Sequence, residues 1–100
     1  MPEPLFINAT SRTPLADFDA GKASFVLNGK SFPENAFSFY QPILHWIELY
    51  CAEPNENTVL DIKLLYCNSS SAKQIVKILL QLEALSFRRK VLVRWYYMED

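Results

Sequence analysis

The sequence predicts an α/β fold: a mixed sheet of about four to five strands with two main helices, antiparallel N-terminal strands followed by a C-terminal βαβ unit. Three observations predict it. Residues 58–66 alternate, with Leu60, Ile62, Leu64 and Tyr66 on one side and Val59, Asp61, Lys63 and Leu65 on the other. Ala72, Ile75, Ile78, Leu79, Leu82 and Leu85 then recur at helical spacing. Residues 91–97 return to the alternating pattern, with Val91, Val93, Trp95 and Tyr97 against Leu92, Arg94 and Tyr96. A strand, a helix and a strand in that order place the two strands parallel, joined by a right-handed crossover.

The front of the chain reads as an antiparallel hairpin or meander. Residues 4–8 form a first strand and 15–18 a second, separated by a turn around Pro14, which cannot donate to a ladder. Gly21 is expected to take positive φ in the tight connection that follows. Residues 23–27 form a third strand, ended by the turn dipeptide Asn28-Gly29. Ser31 and Glu34 have the spacing of a capping box, with Pro33 in the first turn of a helix. Phe37, Tyr40, Leu44, Ile47 and Cys51 give that helix an apolar face, and Pro42 is expected to kink or divide it near Tyr40. Residues 51–57 form a loop. The second helix spans 71–86, and Arg88, Arg89 and Lys90 follow it, where positive charge suits exposed carbonyls. One hundred residues make a single domain, 1–100.

Composition excludes several classes. Half of the residues are hydrophobic and the net charge is −1, so the chain is globular and shows no electrostatic footprint for nucleic acid or an anionic membrane. No apolar run spans a bilayer, and Met1-Pro2-Glu3-Pro4 is not a secretory signal. Cys51 and Cys67 are expected as buried, reduced thiols of a cytoplasmic protein. No metal-ligand spacing, glycine-rich phosphate loop or nucleophile–base pair is present, and no cofactor is implied.

The stretch richest in chemistry is Asn68-Ser69-Ser70-Ser71, between the alternating strand and the second helix. Helix N-termini carry amides without internal partners, which Asn or Ser side chains can cap. The same amides and the helix dipole favour an anion, so a phosphate on one of these serines would find donors in place. Capping alone also explains the composition of the turn.

Four segments carry a family resemblance. Ser31-Phe32-Pro33-Glu34-Asn35-Ala36 is similar to a Ser-aromatic-Pro-Glu-Asn signature, and Phe39-Tyr40-Gln41-Pro42-Ile43-Leu44-His45-Trp46 to the helix that follows it. Tyr66-Cys67-Asn68-Ser69-Ser70-Ser71-Ala72-Lys73 resembles a Tyr-x-Asn-Thr-Ser-Ser-x-Lys turn, and Arg94-Trp95-Tyr96-Tyr97 a closing strand. The family is that of the SiaC-type regulatory phosphoproteins, and the resemblance covers nearly the whole chain. It implies a fold related to anti-sigma-factor antagonist (STAS-like) domains and a non-enzymatic switch set by a kinase and reset by a phosphatase. The unphosphorylated form would bind and activate a diguanylate cyclase, raising cyclic di-GMP and promoting biofilm formation. The family acceptor is the Thr after Asn, a position held here by Ser69, with Ser70 and Ser71 as alternatives. Asn68, Ser70, Ser71, Lys73, Glu34, Asn35 and Tyr66 are the expected partner-binding residues. The resemblance also implies an acidic tail after Met98-Glu99-Asp100.

Two other readings remain. An antagonist-like module could bind an anti-sigma-type kinase instead of a cyclase. A small serine hydrolase would need a base, and His45 is the only histidine; its place in an aromatic helix suggests packing. Tyr66, Trp95 and Tyr97 read either as a hot spot or as core. Arg94 reads as a surface ion-pair residue, and Asp61 with Lys63 as a solvated or edge pair.

Overall fold

The computed structural model describes residues 2–96. The elements are β1 (Leu5–Ile7), β2 (Leu15–Asp19), β3 (Ser24–Ser31), α1 (Ala36–Ala52), β4 (Asn57–Cys67), α2 (Ser69–Ser86) and β5 (Lys90–Tyr96). Five strands form one sheet in the order β1-β2-β3-β4-β5. The first three pair antiparallel, while β3 with β4 and β4 with β5 pair parallel. The expected C-terminal βαβ unit is present, and β3-α1-β4 makes a second one that the sequence reading did not identify. Both crossovers step the same way across the sheet. Right-handed connections then put both helices on one face, where α1 and α2 pack together. Among the described residues the other sheet face carries no helix. Tyr97 and the acidic end of the chain lie outside the described residues.

The core fills the space between sheet and helices. Phe18, Phe25, Leu27, Leu60 and Ile62 point up from the sheet, and Tyr40, Ile43, Ile47, Tyr50, Ile75, Ile78, Leu82 and Leu85 point down from the helices. An aromatic cluster sits at its centre. Phe25 stacks on Phe18 at 5.3 Å and meets Trp46 and Tyr50 edge-on at 5.0 and 4.8 Å. The Tyr50 hydroxyl lies 2.6 Å from Thr58 Oγ1, so this buried phenol has a polar partner.

Helix α1 differs from expectation in start and facing. Its cap is Asn35, whose side chain accepts from the Ser38 amide at 3.0 Å. Ser31 and Pro33 lie before the helix, so the Ser31–Glu34 capping box does not form. The buried face is Ala36, Tyr40, Ile43, Trp46, Ile47 and Tyr50. Phe37, expected inside, is exposed, and Leu44 and Cys51 are half-buried. Pro42 does not divide the helix. Its missing N–H orphans the Ser38 carbonyl, and both residues are exposed, so water can serve that group.

Asn28-Gly29 is not a turn. Strand β3 runs through it to Ser31, which pairs with Cys67 of β4. Gly29 adopts φ +129°, and the register shifts there from Gly29↔Leu64 to Lys30↔Tyr66. Leu65 is thus an extra residue on β4, a bulge that reverses the alternation. Leu60, Ile62 and Leu64 face the core, but Tyr66, expected beside them, is turned out and is 54% exposed. In the β2–β3 connection the Asp19 side chain accepts from the Gly21 amide at 2.9 Å. The positive φ expected at Gly21 falls instead on Ala23, at 54°.

Asp61 pairs with Arg94 across β4 and β5, not with Lys63. The guanidinium donates two bonds to its carboxylate, at 2.6 and 3.1 Å. These bonds outweigh desolvation and hold the Asp61 carboxyl below the usual range. A depressed folded pKa means that this stabilisation is present above the unfolded value, near 4, and is lost as pH falls through the folded one. Asp61→Asn is therefore expected to flatten the decline of stability below about pH 4. Urea unfolding at pH 3 and pH 6 reads this directly; an identical pH dependence in both proteins would contradict it.

Candidate functional site

The candidate site lies at the carboxyl ends of the parallel strands β3 and β4, where α1 and α2 begin. Sites in open α/β sheets usually sit on this side. Strand β4 ends at Cys67, and Asn68 caps α2. The Asn68 side chain accepts from the Ser71 amide at 2.8 Å, and its carbonyl accepts from the Ala72 amide at 2.9 Å. The helix ladder offers no partner to the amides of Ser69 and Ser70. The capping reading of Asn68 holds, and helix α2 starts two residues earlier than the sequence suggested.

The three serines are not equivalent. Ser69 and Ser70 are exposed, whereas Ser71 is fully buried. Ser31 Oγ donates to Ser71 Oγ at 2.8 Å and lies 2.7 Å from the Tyr40 hydroxyl. Ser31 has one proton and gives it to Ser71, so Tyr40 is the donor to Ser31. A chain of three buried hydroxyls thereby joins α1, β3 and the first turn of α2. Burial pushes the Tyr40 phenol up to about 12, which its hydrogen bonds only partly offset, so it stays a neutral donor. Ser31→Ala would leave the Tyr40 hydroxyl buried without its partner. Loss of about 1–3 kcal/mol is expected in urea unfolding, while Ser69→Ala, at an exposed position, should change stability by less than about 0.5 kcal/mol.

Ser70 lines a shallow depression with Glu34, Asn35, Ala36, Phe37, Lys73 and Gln74. Four of the expected partner-binding residues, Glu34, Asn35, Ser70 and Lys73, thus meet at one place. Ser69 precedes Lys73 by four residues on α2, so the two share a helix face. Tyr66 packs edge-on against Phe32 at 5.6 Å at the ends of the same two strands. Asn68 and Ser71, by contrast, spend their side chains inside the fold. Ser31 and Tyr40 were missed as site residues. Their signal was there: Phe25, Leu27, Gly29 and Ser31 keep one alternation, which aims the Ser31 hydroxyl inward.

His45 is exposed on α1, contrary to the packing role expected of it, and lines a second depression with Gln41, Glu48 and Gln81 that shares Phe37 with the first. Cys51 and Cys67 are free and half-buried. Burial raises both thiols, with Arg88 opposing this at Cys51, so neither is an activated nucleophile. Among the described residues no group of His, Cys, Asp or Glu is placed to hold a metal ion. Among the described residues no helix is long and apolar enough to cross a membrane.

Residues 7–100 match the model of a family described as SiaC family regulatory phosphoprotein. An uncharacterised protein of Pseudomonas aeruginosa strain UCBPP-PA14 is 38% identical over 96 residues, which is 93% of this chain and 75% of that protein. The crystal structure of apo-SiaC from Pseudomonas aeruginosa superposes with a TM-score of 0.90 at 33% identity, covering 95% of this chain and 79% of that one. SiaC in the crystal structure of the diguanylate cyclase SiaD with its activator SiaC, from the same species, gives 0.87 at 34% identity, covering 93% and 77%.

Proposed function

We propose, from the premise that the chain belongs to the SiaC family of regulatory phosphoproteins, that it is a non-enzymatic cytoplasmic switch. Its unphosphorylated form binds and activates a diguanylate cyclase, raising cyclic di-GMP and promoting biofilm formation. A cognate kinase phosphorylates Ser69 and releases the cyclase; a phosphatase restores binding. The relative's complex with its cyclase supports the choice of partner. The observation that counts against Ser71 is its burial beneath Ser31, whereas Ser69 and Ser70 are exposed on the first turn of α2; of those two, Ser69 holds the position directly after Asn68 that the family resemblance marks as the acceptor.

The surroundings of Ser69 suit reversible modification. A phosphate there would meet the amides of the first turn, the positive end of the helix dipole and the Lys73 ammonium one turn on. It would displace no core atom. Glu34 and Asn35, across the depression, give a partner further contacts beside the acceptor.

The test is direct. The purified, unphosphorylated protein is added to each diguanylate cyclase encoded by its own genome, and cyclic di-GMP synthesis is followed. One cyclase is expected to bind and to be stimulated. Binding and stimulation by none would overturn the reading.

A further inference from the structure

We propose that the open edge of β5 is a docking site for an acidic, extended segment of a partner protein, which adds to the sheet as a further strand. Strand β5 ends the sheet order and runs for seven residues, against three at the opposite edge, β1. The Lys90 amide donates to the Glu56 carbonyl at 3.1 Å, toward β4. Backbone directions alternate along a strand, so Lys90, Leu92, Arg94 and Tyr96 turn their amides and carbonyls to β4. Val91, Val93 and Trp95 turn theirs to the edge, where among the described residues no strand takes them up. Such a row is a template for another strand, and strand addition is a recurring way to bind a peptide. No proline interrupts it.

Charge selects the occupant. From residue 88 to residue 96 the chain carries Arg88, Arg89, Lys90 and Arg94 and no acidic residue. Lys63, on the neighbouring strand, adds a further cation, its ammonium 5.1 Å from the centroid of the Tyr96 ring. Asp61 offsets one of these charges, through its pair with Arg94. Lys63, Lys90 and Arg94 are exposed on the sheet face away from the helices. On the helix side Val91 and Val93 are half-buried and Trp95 is exposed. A second copy would set these cations against each other, and like charges directly opposed across strands are unfavourable. The strand that fits alternates: carboxylates opposite Lys90 and Arg94 on the outer face, apolar side chains beside Val91, Val93 and Trp95 on the other. None of these residues lines the depression around Ser70, so the site stands apart from the serine turn.

Amide exchange of the full chain, read residue by residue by NMR, tests this with a blocked peptide, Val-Glu-Val-Thr-Val-Glu-Val, and its twin with Lys in place of Glu. The acidic peptide is expected to slow exchange at Val91, Val93 and Trp95 by about tenfold when free peptide stands at about nine times its dissociation constant. The Lys twin should leave these amides unchanged. Lys90→Glu, at an exposed position, should weaken the acidic peptide about threefold or more and strengthen the Lys twin. Protection by neither peptide up to millimolar concentration, or equal protection by both, overturns the inference. So does protection that Lys90→Glu leaves unaltered or that falls on other residues, because the peptide then uses another surface.

Discussion

Phosphorylation of Ser69 is expected to weaken cyclase binding by about a hundredfold or more, with the melting midpoint of the domain almost unchanged. A phosphate adds about −1.5 to −2 charges and three acceptor oxygens. Within the domain these are well received by the first-turn amides of α2, the helix dipole and Lys73. Against a docked partner they are not. A surface that packs on a neutral hydroxyl must strip water from the phosphate and leave it unpaired, and a buried unpaired charge costs about 2–5 kcal/mol. About 2.7 kcal/mol is already a hundredfold. Calorimetric titration of the cyclase with phosphorylated and unphosphorylated protein measures the difference. Ser69→Ala should bind normally and ignore the kinase. Ser69→Asp should weaken binding less than phosphate does, because it brings one charge and two oxygens. Equal affinity of the two forms would sink the switch.

The second large effect is on stability. Phe25→Ala is expected to cost about 3–5 kcal/mol, a large part of the roughly 5–15 kcal/mol that holds a domain together. Phe25 is fully buried and touches three aromatic rings: Phe18 from β2, and Trp46 and Tyr50 from α1. Its removal opens a cavity between rigid rings that cannot collapse into it. Trp46 is also tied to the N-terminal segment, donating to the Glu3 carbonyl at 2.6 Å, which further limits relaxation. The urea midpoint should fall while the slope stays constant. Leu80→Ala, at an exposed position on α2, should change stability by less than about 0.5 kcal/mol. Similar losses from both variants would mean that the aromatic cluster is not the centre of the core.

The second half of the fold was legible because pattern and packing agree there. In β4 Leu60, Ile62 and Leu64, and in α2 Ile75, Ile78, Leu82 and Leu85, are buried as the period indicates, whereas Ala72 is exposed and β5 keeps only Val91 and Val93 half-buried, with Trp95 exposed. The first half was less so, for reasons that can be named. Asn28-Gly29 has the chemistry of a turn, but the parallel pairing with β4 recruits it into β3, where Gly29 serves a bulge. That bulge also explains the misplacement of Tyr66, since an extra residue on β4 reverses the side-chain alternation beyond it. Ser31 and Glu34 satisfy the spacing of a capping box, yet Ser31 is needed inside, as the link between Tyr40 and Ser71. Asn35 caps the helix instead and turns its buried face away from Phe37. At the candidate site, local chemistry placed Asn68 and the serines at a helix start but could not tell the buried hydroxyl from the exposed ones. Setting Ser71 apart from Ser69 and Ser70 required Ser31, forty residues away in sequence from Ser71.

The most direct test of the central claim is fragment mass spectrometry of the protein isolated from its own host, with and without phosphatase treatment. One phosphate is expected, on Ser69, removable by phosphatase and absent from Ser69→Ala. Phosphate on Ser71, whose hydroxyl is sealed in the fold, or a chain that carries no phosphate under any growth condition, would contradict the account.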